Sequence, residues 1–115
     1  MEDIKPARPS PRLEDGALCW YEGDIFTVGF DLVLTDADGE KIIIQPNDTV
    51  EVEIADMQKN IIKTFSVKSV TDNHVTLIFD AETTKLFKKG VYTYDIRIVN
   101  DYKTTIANDN YIWVQ

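Results

Sequence analysis

The chain has 115 residues, with 20 acidic against 12 basic side chains and a formal net charge of -8. That charge repels nucleic-acid phosphates and anionic membrane surfaces, so neither is expected as a partner. With 43% hydrophobic and 28% charged residues, the composition is that of a folded domain able to bury a core without disulfide or metal.

Residues 1–16 read as an extended arm. Pro6, Pro9 and Pro11 each fix their own φ and push the preceding residue toward extended geometry. Lys5, Arg8 and Arg12 give the arm positive charge, suited either to a solvated tail or to docking on a neighbouring subunit. Residues 17–115 read as one domain with no internal linker. The first residues after Met1 lack the apolar run of a signal peptide.

From Leu18 the pattern has period two. Phe26, Val28, Phe30, Leu32 and Leu34 line one face of a long strand, with Thr27, Gly29 and Asp31 on the other. Asp38 and Gly39 supply a hairpin turn into an apolar run at 41–44. Val50, Val52 and Ile54 alternate with Glu51 and Glu53. A further strand covers 61–66, and Val75, Leu77 and Phe79 mark the next.

A short helical crossover is expected near 80–89. Asp80 suits its N-cap, Lys85, Lys88 and Lys89 suit its C-terminal end, and Gly90 suits the left-handed position that closes it. Tyr92, Tyr94, Ile96 and Ile98 then alternate with polar residues, and 104–114 close the fold. Seven or eight strands with turn signals roughly every 8–12 residues describe an all-β antiparallel sandwich. Tyr92 opens a strand just after the crossover, where immunoglobulin-like domains place a tyrosine whose hydroxyl bonds upstream backbone. An ordinary aromatic strand gives the same pattern.

Little here suits catalysis. The single cysteine, Cys19, excludes an intrachain disulfide and a Cys-based zinc site. The single histidine, His74, begins a strand after a turn. No glycine-rich phosphate loop occurs, and the carboxylates are scattered over turns and wet faces. Asp36, Asp38 and Glu40 make the best ion candidate, yet the rest of a calcium loop is missing and a hairpin needs Asp and Gly anyway. Asn47 and Thr49 match a glycosylation pattern that matters only on a secretory route. No catalytic residue, cofactor or metal is expected.

Two segments are apolar on both faces: Leu18, Cys19, Trp20 and Tyr21, and Tyr111, Ile112, Trp113 and Val114. As edge strands they need a cover, and Trp and Tyr are enriched at interface hot spots. Trp20, Tyr21, Tyr111 and Trp113 are therefore candidate interaction residues, unless each folds onto its own core. Tyr92 and Gly90 are candidate structural residues.

The order of features resembles the N-terminal immunoglobulin-like domain of phage baseplate upper proteins and related small prophage structural proteins. The features are Trp20 to Asp24 before a long strand, the Asp38–Gly39 hairpin, the alternating 50–54 strand, and Gly90 to Ile96. The resemblance implies a virion protein, made in the bacterial cytoplasm. It would contact other tail or baseplate subunits, or itself, without catalysis. A carbohydrate- or cell-surface-binding sandwich is the alternative.

The first expectation is that the fold is independent of metal and redox state. Melting curves with and without chelator or reductant should superimpose. A shift above about 5 °C on chelation, roughly 1 kcal/mol for a domain of this size, would restore the ion site at Asp36 and Asp38.

Overall fold

A strand whose side chains alternate between apolar and polar has one face to bury, and this chain folds as two layers of such strands. The computed structural model describes residues 8–68, 70–100 and 103–115, with the backbone alone at 103, 108 and 109. Lys5 and Pro6 of the expected arm lie outside the described residues. The strands are β1 (Arg12–Glu14), β2 (Ala17–Trp20), β3 (Phe26–Asp31), β4 (Thr49–Asp56), β5 (Ile61–Val67), β6 (His74–Phe79), β7 (Gly90–Val99) and β8 (Lys103–Val114). A single-turn helix, α1 (Ala81–Thr84), links β6 to β7. One sheet has the order β1-β2-β8-β7-β4-β5, and the other is the pair β3-β6. The all-β sandwich is therefore as the alternation implies.

Among the described residues strand pairing is antiparallel with one exception, which corrects the wholly antiparallel expectation. β2 runs parallel to β8, with Leu18 opposite Ile112 and Trp20 opposite Val114. A hairpin also forms inside the segment read as an arm. β1 pairs with β2 through Glu14 and Ala17, leaving Asp15 and Gly16 as a two-residue turn at φ 52 and 81. Both positive φ values suit the tight hairpin that Asp-Gly favours. The hairpin places β1 at the sheet edge, beyond β2.

The core lies where the small sheet covers the large one. Val50, Val52 and Ile54 of β4, Ile96 of β7, Ile112 and Val114 of β8, and Val75, Leu77 and Phe79 of β6 are all buried. At one end an aromatic cluster closes it. Trp20 lies 5.1 Å from Phe26, 5.0 Å from Phe79 and 5.6 Å from Phe87, centroid to centroid, and Phe87 meets Tyr92 edge-to-face at 5.3 Å. Such tilted and edge-to-face pairs add attraction beyond area burial.

Asp80 caps α1 as expected, its carboxylate accepting from the Thr83 N–H at 2.9 Å. That bond holds the Asp80 carboxyl below its ordinary range. The helix is shorter than the expected crossover, and Gly90 does not close it. Lys85, in right-handed geometry, is its C-cap, and Gly90 instead opens β7 at φ 151 opposite Val114. The chain tightens into turns, Leu86 N–H to Thr83 and Phe87 N–H to Thr84, which bring Phe87 into the aromatic cluster. The Thr84 hydroxyl donates to the Asp80 carbonyl at 3.0 Å, a side-chain bond of the kind that competes with helix extension.

The long strand expected through Leu34 ends at Asp31, and 41–44 form no strand. The Asp38–Gly39 turn does form, with the Gly39 N–H donating to Asp36 at 3.1 Å, but its arms share a single bridge, Thr35 to Lys41. A buried side chain holds this excursion. Asn73, at φ 60, accepts from the Ile44 N–H at 2.8 Å and donates to the carbonyls of Ile42 (2.7 Å) and Leu32 (3.2 Å).

Tyr92 does what the sequence position suggests. Its ring is buried and its hydroxyl donates to the Lys88 carbonyl at 2.8 Å. Burial raises the hydroxyl above its ordinary value of 10.0, so the bond contributes fully below about pH 10 and its contribution is lost as pH rises through the raised value. Tyr92→Phe keeps the ring and leaves the carbonyl without this donor. It should cost about 1–2 kcal/mol, a fall of roughly 5–10 °C in Tm. A variant as stable as the parent would show that the hydroxyl holds nothing.

Candidate interaction surfaces

The four aromatic candidates separate into three environments. Trp20 has no accessible surface and belongs to the core, which corrects its reading as an interaction residue. In β2 the residues facing inward are Leu18 and Trp20, opposite Ile112 and Val114. Cys19 faces outward yet is also buried, because β1 lies beside it with Arg12 opposite. Burial pushes the Cys19 thiol up, so it stays protonated and unreactive at neutral pH.

Tyr21 is half-buried under the described start of the chain. Its hydroxyl accepts from the Arg8 N–H at 3.0 Å, and the Arg12 guanidinium lies 5.6 Å from its ring centroid. Glu14 accepts from both Arg8 and Arg12, which lowers its carboxyl below the ordinary range. Arg12 also donates to the Gln115 side chain. Arg8 to Glu14, expected in an extended arm, is thus fastened to its own domain.

Tyr111 and Trp113 do stand at a surface. They alternate with the buried Ile112 and Val114 and face out of the six-stranded sheet, 51% and 44% exposed. Trp113 pairs with Val91, itself 46% exposed, and Tyr111 pairs with Thr93. Farther along this face Arg97 bridges Glu53 at 3.4 Å and Asp95 at 3.1 Å. β8 is the third of six strands, so this apolar patch is on a sheet face and not at an edge.

A second apolar feature had no signal in the sequence. Among the described residues β3 pairs with β6 on one side only, and its other edge opens onto a hollow of about 230 Å³ between the layers. Leu13, Leu18, Val28, Phe30, Leu77 and Ile112 are among its walls. Alternation shows which face of a strand is apolar but not whether a neighbour stands beside it.

The polar side chains singled out in the sequence have local partners. His74 Nδ1 lies 2.7 Å from Asp31 Oδ1, and its Nε2 stands over Gly29, where a Cβ would come within 2.9 Å. No hydroxyl or thiol bonds this ring among the described residues. Asp36 Oδ1 accepts from the Asp38 and Glu40 N–H groups at 2.9 and 3.0 Å, shaping its own turn. Among the described residues no three His, Cys, Asp or Glu side chains gather as a metal site. No family model, no curated protein and no solved structure matches this chain.

The two tryptophans should therefore respond differently to a soluble quencher. In Trp113→Ser the remaining emission, from Trp20, should be shielded, whereas in Trp20→Phe the remaining emission should be quenched readily. Equal quenching in both variants would remove the division between core and surface.

Proposed function

We propose that this chain is a non-catalytic structural module that works by protein–protein contact through the outer face of its six-stranded sheet. The observation that carries the reading is the contiguous patch of Val91, Tyr111 and Trp113, apolar and exposed on two central strands of the sheet. Aromatic side chains on such a support offer large contact area at low entropic cost, the property of interface hot spots. The resemblance to phage baseplate upper proteins supplies the setting: a tail or baseplate in which the partners are other virion subunits or a second copy.

A carbohydrate-binding reading stands second, on a specific observation. Tyr111 and Trp113 point the same way from one strand, and Glu53, Asp95 and Arg97 supply donors and acceptors on the same face. Aromatic platforms flanked by polar groups can stack sugar rings.

Light scattering across a concentration series separates the two. Under the structural reading the parent's molar mass rises with concentration, alone or with purified tail subunits, and Trp113→Ser abolishes the rise. A strict monomer that binds no tail subunit, with Trp113 emission changed by cell-wall oligosaccharides, would replace the first reading by the second.

A further inference from the structure

We propose that the free edge of β3 is a docking groove for an extended segment of a partner protein, apolar on one side and basic on the other. The segment enters as the neighbouring strand that β3 lacks. This site is separate from the outer face that carries Trp113.

Backbone chemistry gives the first reason. The Leu32 N–H reaches toward the β6 side, donating to the Asn73 carbonyl at 2.9 Å. Backbone groups alternate sides along a strand, so those of Thr27, Gly29 and Asp31 point the other way. Among the described residues no strand pairs with β3 there. Packing gives the second. The hollow beside this edge has aliphatic and aromatic walls, and Leu13 at its rim is 76% exposed. The apolar side chains of β3 that line it, Val28 and Phe30, are only half-buried.

A small apolar molecule would fill the hollow and leave the backbone donors and acceptors to water. Water would satisfy the backbone and leave the hollow unfilled. An extended peptide does both, because its main chain pairs about 4.8 Å away while alternate side chains point inward. Charge then selects the peptide. The bordering segments expose Asp15 in the β1–β2 turn and Asp31, whose side chain, 2.7 Å from His74 Nδ1, is still 72% exposed. The nearby Arg8 and Arg12 are held by Glu14. A second copy, also at -8, is disfavoured, and Lys or Arg on the outward side of the strand is favoured.

The test uses the whole chain and two short synthetic peptides, one alternating Val with Lys and one alternating Val with Glu. Amide exchange is read by NMR. The Val-Lys peptide should bind saturably and slow exchange at Thr27, Gly29 and Asp31 about tenfold or more, with the Val-Glu peptide much weaker. Thr27→Pro removes one outward N–H at an edge that tolerates proline, so it should abolish binding while leaving the melt near that of the parent. Leu13→Lys, at an exposed rim position, removes an apolar wall and repels the Val-Lys peptide, so it should weaken binding and serves as the second variant if the proline variant does not fold. Trp113→Ser should bind the peptide as the parent does, which separates this groove from the outer face. Unchanged exchange at the three amides under saturating peptide, or equal binding by Leu13→Lys and the parent, would overturn the proposal. So would toluene shifting the Leu18 and Ile112 signals while neither peptide binds.

Discussion

A sheet buries its apolar face only where a second layer lies opposite, and here six strands face two. That mismatch organises the molecule. Val50, Val52 and Ile54 of β4, Ile96 of β7, Ile112 and Val114 of β8 and Val75, Leu77 and Phe79 of β6 are buried, whereas the inner residues of β3, at the margin, are half-buried. The aromatic cluster around Trp20 closes the covered end, and large rings suit that place because few side chains must span a wide gap. Its Nε1 has no oxygen or nitrogen partner among the described residues. Around it stand Phe26, Phe79 and Phe87, so ring faces are the electron-rich surface within reach.

Much of the fold was legible because it depends on local alternation. β4, β6 and β7 fall where period two places them, and Tyr92 and Asp80 act through bonds to residues within four positions. The failures have a common physical source: neighbours distant in sequence. The segment Leu18 to Tyr21 is apolar on both faces, which suggested an interface at Trp20. It is flanked in the sheet by β1 and β8, with Arg12 and Trp113 on either side of Cys19, and faces the core on the inside, and neither neighbour is visible in the segment itself. The Asp15–Gly16 pair was a readable turn signal, overshadowed by the prolines before it. Asn73 was readable as a turn residue, but its bonds to Leu32, Ile42 and Ile44 span about thirty to forty positions and follow from no short pattern.

The candidate surfaces were half legible for the same reason. Tyr111 and Trp113 emerge on the outer face because Ile112 and Val114 must face inward. Their central position, on the third strand of six, came only from the strand order. Both surfaces rest on supports that do not rely on the surface residues for packing. The patch stands on strands anchored by the core, and the groove is walled by side chains from both layers. Such supports keep a contact surface in shape before a partner arrives, which lowers the ordering cost of association.

The parallel pairing of β2 with β8 also decides how the domain bears load. Pull on the chain from its two sides, and tension enters β2 at the Leu18 end and leaves β8 at the Val114 end, opposite ends of one short ladder. The Gln115 N–H to Trp20 and the Glu22 N–H to Gln115, at 2.8 and 2.9 Å, lengthen that ladder. Its bonds are loaded together in shear. β1, antiparallel to β2, would instead peel away one pair at a time. Resistance to stretching is a rate property set by the barrier to breaking such a group of bonds at once. The first hairpin is then a compliant lead, and the β2–β8 clamp behind it is the stiff element that keeps the domain folded under tension.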